Sequence, residues 1–391
     1  MDLAAFRHAF PITESRAYLF SGGLAPAATP VRAAMDAWID RWMYEPLYHR
    51  ARYFEAWEEV RSRLGTLFNV SAECIALTDN TSRASNLAVA IVDASPGANV
   101  VVDDTTYPSS LYPWLLPSRR VIEVRTVRGP APRPEDVAAL VDARTAAVSV
   151  SHVSAMTGYR HDLAALADVA HSRNALLIVD AAQSAGAVPI DLGAVPVDLL
   201  SGVSMKWLLG PPGIGVLYVA PHLLERLRPP QVGYVGTEAV VAGDAPGGDA
   251  PGGGGLRFAP GARRLEIGIG NLPGLAAFAA ALQLIASVGV PSINERIETL
   301  VDASITGMAG RGMRLATPAA APHRAGIIAA HLGAGEALAA FLRTRGVDTW
   351  GYPSGRIRVD PHGFNDEEDV ARFLAGLDAF AAEHGRSALS A

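Results

Sequence analysis

Three residues with reactive side chains stand near the ends of two apolar segments. Lys206 lies in the segment SMKWLLGP, and Asp180 and Gln183 precede it by 26 and 23 positions. A lysine at the end of a strand can form an imine with an aldehyde cofactor, and a buried carboxylate can keep a pyridine nitrogen protonated, so that the ring accepts electrons. The trio therefore indicates a site for an aldehyde cofactor that contains a pyridine ring.

The surroundings of Asp180 strengthen this interpretation. Residues 175–182 read ALLIVDAA, an apolar run that is short for a helix and typical of a buried parallel strand. A carboxylate at the end of such a strand is costly to bury without a cation or hydrogen-bond donors. A helix cap or a core ion pair would also satisfy it, but the nearby Lys206 favours a cofactor site.

The elements that must position these residues follow from a pattern over the first 220 positions. Short apolar runs alternate with amphipathic helices, for example at 134–140 and 162–170. The alternation predicts an α/β fold with a mostly parallel sheet covered by helices on both faces. The predicted strands are 99–104, 121–127, 146–153, 176–181, 197–200 and 214–220. Ligands bind such sheets at the carboxyl ends of the strands, where Asp180 and Lys206 fall.

The length of 391 residues, half of them apolar, predicts two lobes. We predict an N-terminal segment 1–15, a large cofactor-binding domain 16–275 and a smaller α+β C-terminal domain 276–391. The segment GDAPGGDAPGGGG at 243–255 has too few apolar side chains to pack and predicts a mobile surface loop. A helix over 274–287 and a strand over 357–359 are also predicted.

Composition limits the partners. The net charge of −6 and the scattered arginines argue against nucleic acid or an anionic membrane, and favour a small-molecule substrate. The single cysteine, Cys74, excludes a disulfide framework and a cysteine-rich metal site, and we predict no metal. The start MDLAAFRHAF lacks the regions of a signal peptide, so we expect a cytoplasmic protein. The apolar stretch 272–290 is interrupted by polar residues and predicts a buried helix.

A polar turn supplies a candidate anion site. Residues 79–87 read DNTSRASNL, which predicts a helix that begins with hydroxyl side chains. The N-terminus of a helix suits an anion because its backbone N–H groups are free. An ordinary N-cap would give the same pattern.

Two longer segments, VDAAQSAGAVPIDL and SMKWLLGPPGIGVLYV, resemble the class V aminotransferase branch of the fold-type I pyridoxal-phosphate enzymes. That branch contains cysteine desulfurases, kynureninases and isopenicillin N epimerase, and the resemblance covers nearly the whole chain. It implies pyridoxal 5'-phosphate as the cofactor, an amino acid as the substrate, and a homodimer.

The resemblance also implies roles for individual residues. Lys206 would bond the cofactor, Asp180 would pair with the pyridine nitrogen, and Gln183 would donate near the ring hydroxyl. The phosphate would be held by Thr81 and Ser82, with Ser204 assisting them.

Three further residues have predicted roles, but each role has an alternative. Tyr107 stands where these families stack an aromatic or histidine side chain on the ring, and His152 ends another strand near it, although both could be core residues. Arg358 resembles the arginine that clamps the substrate α-carboxylate, a task that suits a bidentate guanidinium. Arg356 competes with it, because alternation along a strand points both side chains to one face.

Departures from the family pattern bear on the reaction. Desulfurases carry a nucleophilic cysteine in the stretch that corresponds to 346–355, which here reads GVDTWGYPSG. Cys74 is too early in the chain and has the apolar surroundings of an inert thiol. Histidine, asparagine and threonine, common at three other positions, are replaced by Met205, Ala155 and Ile269.

We therefore predict an enzyme that cleaves the C–S bond of a cysteine conjugate by β-elimination, because such a lyase needs no thiol of its own. An aminotransferase or an epimerase of a specialised amino acid is the alternative, and similarity to kynureninases is as close as similarity to desulfurases in parts of the chain. A binding or regulatory protein without catalysis would be expected to lack Lys206, Asp180 or Arg358, and all three are present.

Overall fold

The computed structural model describes residues 1–50, 52–116, 122–238 and 257–390. The predicted loop 243–255 and the first residue of the predicted strand 121–127 lie outside these ranges. The described strands are β1 Ala17–Tyr18, β2 Ile75–Thr78, β3 Asn99–Asp103, β4 Glu123–Val127, β5 Thr145–Ser151, β6 Leu176–Asp180, β7 Leu199–Val203, β8 Gly215–Val219, β9 Arg314–Leu315, β10 Ile328–His331, β11 Val347–Asp348, β12 Trp350–Gly351 and β13 Arg356–Val359. The described α-helices are α1 Leu3–His8, α2 Thr29–Tyr44, α3 Pro46–Arg50, α4 Tyr53–Phe68, α5 Thr81–Ile91, α6 Pro108–Leu111, α7 Pro134–Ala138, α8 Leu163–His171, α9 Pro221–Leu224, α10 Leu272–Val288, α11 Val290–Ala309, α12 Gly335–Thr344 and α13 Glu367–His384.

Seven strands form the main sheet in the order β2-β8-β7-β6-β5-β3-β4. All neighbours are parallel except β8, which pairs antiparallel with both β2 and β7. Strand β3 has the sequence NVVVD and is buried along its whole length, as expected of a parallel strand covered on both faces. Because β5, β6 and β7 run in one direction, their carboxyl ends meet at one edge of the sheet.

The predicted mostly parallel α/β sheet is confirmed. Each of the six predicted strands overlaps an observed one. The predicted strand 197–200 is shifted towards the N-terminus relative to the observed strand Leu199–Val203 and shares only its first two residues. Strand β2 was missed because its four residues, IALT, are short and follow directly on a 3₁₀ turn. Helix α8 begins as predicted at the cap Asp162, whose carboxylate accepts a hydrogen bond from the Ala165 N–H at 3.0 Å.

Helix α10 is the apolar helix predicted near residue 274. It packs against α2 and α4, and most of its side chains are buried. No single helix in the described part of the chain is long and apolar enough to cross a membrane. Helices α10 and α11 taken together have the length and composition of a membrane span, but they meet at a bend of 77°.

The C-terminal strands form a second, antiparallel sheet in the order β12-β13-β10-β9. The N-terminal segment joins this region, because β1 pairs in parallel with β11 and Phe20 forms a bridge with Asp360. The final helix α13 begins in a capping box formed by Asp366 and Asp369. Residues 17–20 therefore contact the region predicted as the small domain, and the division at 15 and 275 stays a prediction.

A buried ion pair joins α4 to the edge of the main sheet. The Arg61 guanidinium lies 2.7 Å from the Glu266 carboxylate, and both side chains are buried. Glu266 also accepts a hydrogen bond from the Leu77 N–H of β2 at 2.8 Å. Burial raises the pKa of Glu266, and Arg61 opposes that shift. Arg61 is thus the ion-pair partner that favours the ionised form of this buried carboxylate.

Replacing Arg61 with methionine should lower the free energy of unfolding by about 3–5 kcal/mol, because it leaves a buried carboxylate unpaired. Urea denaturation at pH 8 measures the loss. Part of it should return at lower pH, since protonation removes the charge. The exposed Arg32, paired with Asp36 in α2, is the matched control, and Arg32→Met should change stability by less than about 1 kcal/mol. An equal, small effect of both substitutions would contradict this account.

Candidate active site

A cavity of about 410 Å³ opens at the carboxyl ends of β5, β6 and β7, beneath β13. It is lined by seven of the nine residues predicted for the site: Thr81, Ser82, Tyr107, Asp180, Gln183, Lys206 and Arg358. The other two, His152 and Ser204, are not among the residues that line it. The fold thus brings together positions that are separated by almost 280 residues in the chain.

Lys206 lies in a tight turn three residues after β7. The turn is closed by hydrogen bonds from the Leu209 N–H to the Lys206 carbonyl at 3.0 Å and from the Gly210 N–H to the Ser204 carbonyl at 2.9 Å. Leu209 has a φ of 58°, which is rare for a bulky residue and persists only where surrounding packing enforces it. Lys206 is also the only lysine among the 391 residues, a signal that identifies this position without any structure.

The Lys206 amine is more acidic than an ordinary lysine. Burial lowers its pKa to about 8, and Arg358 adds to that effect while Asp180 and Asp360 oppose it. A larger fraction of Lys206 side chains than of ordinary lysines is therefore neutral at pH 7, as addition to an aldehyde requires.

This pKa predicts how attachment of an aldehyde cofactor depends on pH. The second-order rate constant should rise about tenfold per pH unit up to about pH 8 and level off above it, because the neutral amine then predominates. Mixing apoprotein with pyridoxal phosphate and following the absorbance of the covalently attached cofactor measures the rate. A rate that keeps rising beyond pH 10 would mean an unperturbed lysine.

Asp180 forms the floor of the cavity. Its carboxylate accepts hydrogen bonds from the Ala182 N–H and the Ser110 hydroxyl, both at 2.9 Å, and forms no ion pair with a described residue. Burial raises its pKa. A cationic N–H of a bound ring would supply the missing charge and favour the ionised carboxylate.

Ser110 is a site residue that sequence reasoning missed. It lies in the short helix α6, is buried, and its hydroxyl also lies 3.2 Å from that of Ser85. Only tertiary structure brings it to Asp180, which is 70 positions away in the chain. The only sequence signal is the pair of serines that follows Tyr107 and Pro108 at the carboxyl end of β3.

The N-terminus of α5 forms the opposite end of the cavity. Asn80 caps the helix by accepting a hydrogen bond from the Arg83 N–H at 2.9 Å, and Thr81 and Ser82 follow as its first two residues. Gly215 allows this close approach, because a Cβ there would lie 2.5 Å from the Asn80 carbonyl. Free N–H groups and two hydroxyls at a helix N-terminus are a natural phosphate site.

Tyr107 and His152 come from neighbouring strand ends but have different environments. The Tyr107 ring is 44% exposed, and its centre lies 5.6 Å from the Lys206 amine. Ser151 and Val153 line the cavity, whereas His152, which lies between them just after β5, does not. Its Nδ1 has no hydrogen-bond partner in the described residues, and burial lowers its pKa to about 3. The predicted catalytic role of His152 therefore gains no support from its position.

Ser204 is buried, and its hydroxyl donates to the backbone carbonyls of Pro211 and Ile214. It braces the turn that carries Lys206, so its side chain is already satisfied by backbone oxygens. The predicted assistance to Thr81 and Ser82 gains no support from this arrangement.

Arg358 is buried and held from several sides. Its guanidinium forms an ion pair with Asp360, with Nε–O and Nη2–O distances of 2.8 and 2.7 Å. Longer contacts of 3.3 Å join it to the Ala155 carbonyl and to the Gln183 side chain. Gln183 also donates to the Gly22 carbonyl at 3.0 Å, and a Cβ at Gly22 would lie 2.0 Å from Arg358 Nη2. Asp360 was missed from the sequence, although its spacing of two from Arg358 on a strand was the available signal.

Trp207, next to the reactive lysine, ties the turn to the C-terminal region. Its indole N–H donates to Gln183 at 2.9 Å, and its ring stacks on His362 with centres 5.5 Å apart. Burial lowers the pKa of His362 to about 4, so this ring is neutral at pH 7. The position of Lys206 thus depends on residues more than 150 positions further along the chain.

The chain is similar to several known proteins. Residues 17–351 match the family model described as aminotransferase class-V. The uncharacterized aminotransferase YcbU of Bacillus subtilis is 27% identical over 96% of this chain and 97% of its own length. Isopenicillin N epimerase of Streptomyces clavuligerus is 29% identical over 83% of this chain and 84% of its own. A solved structure of the cystine C-S lyase C-DES, in complex with its reaction product cysteine persulfide, superposes with a TM-score of 0.84 at 23% identity, covering 94% of this chain and 98% of that one.

The fold and the site define a pyridoxal-phosphate enzyme of fold type I that acts on amino acids. The chain belongs to the class V aminotransferase family. The resemblance, the fold class and the cofactor predicted from the sequence are confirmed.

The residues present also fit pyridoxal phosphate on structural grounds. The cavity has a helix N-terminus with two hydroxyls at one end, a buried carboxylate without an ion pair on its floor, and a lysine of lowered pKa at its wall. Thr81 and Ser82 would hold the phosphate, Asp180 the pyridine nitrogen, and Tyr107 one face of the ring. Gln183, which also lines the cavity, would lie near the ring hydroxyl.

Proposed function

We propose that this enzyme cleaves the C–S bond of S-substituted cysteines by β-elimination. The proton on Cα passes to Lys206, the Cβ–S bond breaks, and sulfur leaves with the electron pair as a thiolate. The remaining enamine takes up water and yields pyruvate and ammonia. When bound, the cofactor supplies a ring that accepts the electrons released at Cα.

The observation that carries this proposal is the position of the one thiol. Cys74 is 2% exposed, lies directly before β2 and lines a different cavity from Lys206. Burial raises its pKa, which makes it a poor nucleophile. A desulfurase needs a cysteine that accepts sulfur from the substrate, whereas an eliminating lyase releases sulfur with its leaving group.

The residues of the cavity divide the work of elimination. Lys206, whose pKa is about 8 when it is free, is suited to take a proton near neutral pH. Arg358 would orient the α-carboxylate through its Nη1, because Asp360 already holds its Nε. Thr81 and Ser82 would anchor the phosphate and thereby fix the distance between the ring and Lys206.

A homodimer is part of the proposal. Trp42, Met43, Tyr44, Leu47 and Tyr48 are each more than half exposed along α2 and α3. A second copy of the chain would cover this apolar surface through a two-fold contact. Sedimentation equilibrium tests the assembly, with a mass of two chains expected. The proposed location is the cytoplasm, where one free cysteine would stay reduced.

The test of the reaction is to incubate holoenzyme with S-substituted cysteines and assay pyruvate, ammonia and free thiol together. Equal amounts of the three products support elimination. Two other outcomes would replace the proposal with its alternatives. Conversion of the cofactor to its amine form without pyruvate would mean an aminotransferase, and incorporation of solvent deuterium at Cα with inversion would mean an epimerase.

A further inference from the structure

Arg356 is a buried cation without a counter-charge among the described residues. Its side chain is 6% exposed, lines the cavity, and its Nε has no hydrogen-bond partner in that part of the chain. Its Nη1 lies 3.3 Å from the Met156 carbonyl and 3.2 Å from the Met156 sulfur, and its guanidinium carbon lies 4.1 Å from the centre of the Tyr352 ring. These contacts are neutral, whereas a buried guanidinium is costly unless an anion pairs with it.

The neighbouring Arg358 provides the contrast. Its charge is already balanced by Asp360, with which it forms a close ion pair. Asp360 is itself fully buried, so this pair adds no net charge to the cavity. Of the two arginines, Arg356 is therefore the one whose positive charge is not balanced by a carboxylate of the described residues.

The two arginines are separated by one residue on β13, and both line the cavity. Their Cα atoms are thus about 6.6 Å apart along the strand. A ligand whose α-carboxylate reaches Arg358 would bring a group on its side chain towards Arg356.

We propose that Arg356 binds a second acidic group on the substrate side chain. This inference rests on the proposed elimination and names its substrate class: cysteines whose sulfur substituent carries a carboxylate or a sulfonate. A bidentate guanidinium recognises such groups more strongly than it does a neutral amide.

A matched pair of substrates tests the charge alone. S-carboxymethyl-cysteine and S-carbamoylmethyl-cysteine have nearly the same shape, but only the first is anionic at its end. The holoenzyme should prefer the carboxylate by about 10- to 100-fold in kcat/KM, the range expected of a charge-assisted hydrogen bond. Equal use of the two substrates, or preference for the amide, would overturn the inference. This comparison needs only the unsubstituted enzyme.

Substitutions assign the preference to a residue. Arg356→Gln should remove the preference by weakening the carboxylate substrate while the amide substrate stays within about threefold, and Arg356→Lys should restore part of it. Arg358→Gln, in contrast, should weaken both substrates alike. If Arg356→Gln also weakened both alike, Arg356 would hold the α-carboxylate or only support the fold, and the inference would be wrong.

A binding measurement separates this inference from the proposed reaction. Titration calorimetry of the holoenzyme with the same pair reports affinity whether or not the C–S bond breaks. Tighter binding of the carboxylate compound without pyruvate would remove the lyase proposal and keep the role of Arg356. Equal binding of both compounds, or no binding of either, would overturn the role of Arg356 even if other conjugates were cleaved.

Discussion

Replacing Lys206 with alanine should abolish turnover. The substitution removes both the amine that bonds the cofactor and the base that takes the proton from Cα, so we expect kcat to fall by about 10³- to 10⁶-fold. Because Lys206 is the only lysine of the chain, no second ε-amine can replace it. The absorbance of the covalently attached cofactor should disappear as well.

The fold should survive this change, because the Lys206 side chain forms no hydrogen bond or ion pair with a described residue. Its removal therefore leaves no buried polar group of those residues without a partner. Thermal unfolding should therefore occur within a few degrees of that of the unsubstituted protein. Arg173, an exposed basic residue after α8, is the control, and Arg173→Ala should leave kcat unchanged. Residual turnover of Lys206→Ala at more than a few per cent would contradict the assignment.

The second large effect is expected from Asp180→Asn. The amide has almost the shape of the carboxylate but no charge, so the pyridine nitrogen would lose the anion that keeps it protonated. We expect kcat to fall by about 10²- to 10⁴-fold while the cofactor still attaches to Lys206, and steady-state kinetics with absorbance spectra measure both.

Asp103 is the matched control for Asp180. It also ends a strand of the main sheet and is buried, but its carboxylate pairs with His161 at 3.1 Å and accepts a hydrogen bond from Thr105, and it does not line the cavity. Asp103→Asn should lower stability and leave kcat of the folded protein nearly unchanged. If the two substitutions lowered kcat equally, Asp180 would be a structural residue.

Much of the fold and part of the site follow from local sequence. Asp180 and Lys206 could be predicted because each comes at the end of an apolar strand, and parallel strands end at the same edge of a sheet. Thr81 and Ser82 could be predicted because helix capping is a local signal.

The remaining residues depend on directions and contacts that local sequence does not encode. His152 follows β5 between two cavity-lining residues but does not itself line the cavity. Ser204 lies close to Lys206 in the chain, as predicted, but its hydroxyl donates a hydrogen bond to a nearby backbone carbonyl. Ser110 reaches Asp180 only through tertiary packing, and the burial of Arg356 without a counter-charge is visible only after β13 is placed over the main sheet.

The most direct test of the central claim is to reduce the holoenzyme with borohydride and locate the cofactor by peptide mass spectrometry. Reduction makes the bond between lysine and cofactor permanent, and this chain offers one lysine for it. We predict one phosphopyridoxyl group per chain, on the peptide that contains Lys206. Attachment at the N-terminal amine, or no adduct in a protein that binds the cofactor, would contradict the assignment of this cavity as the active site.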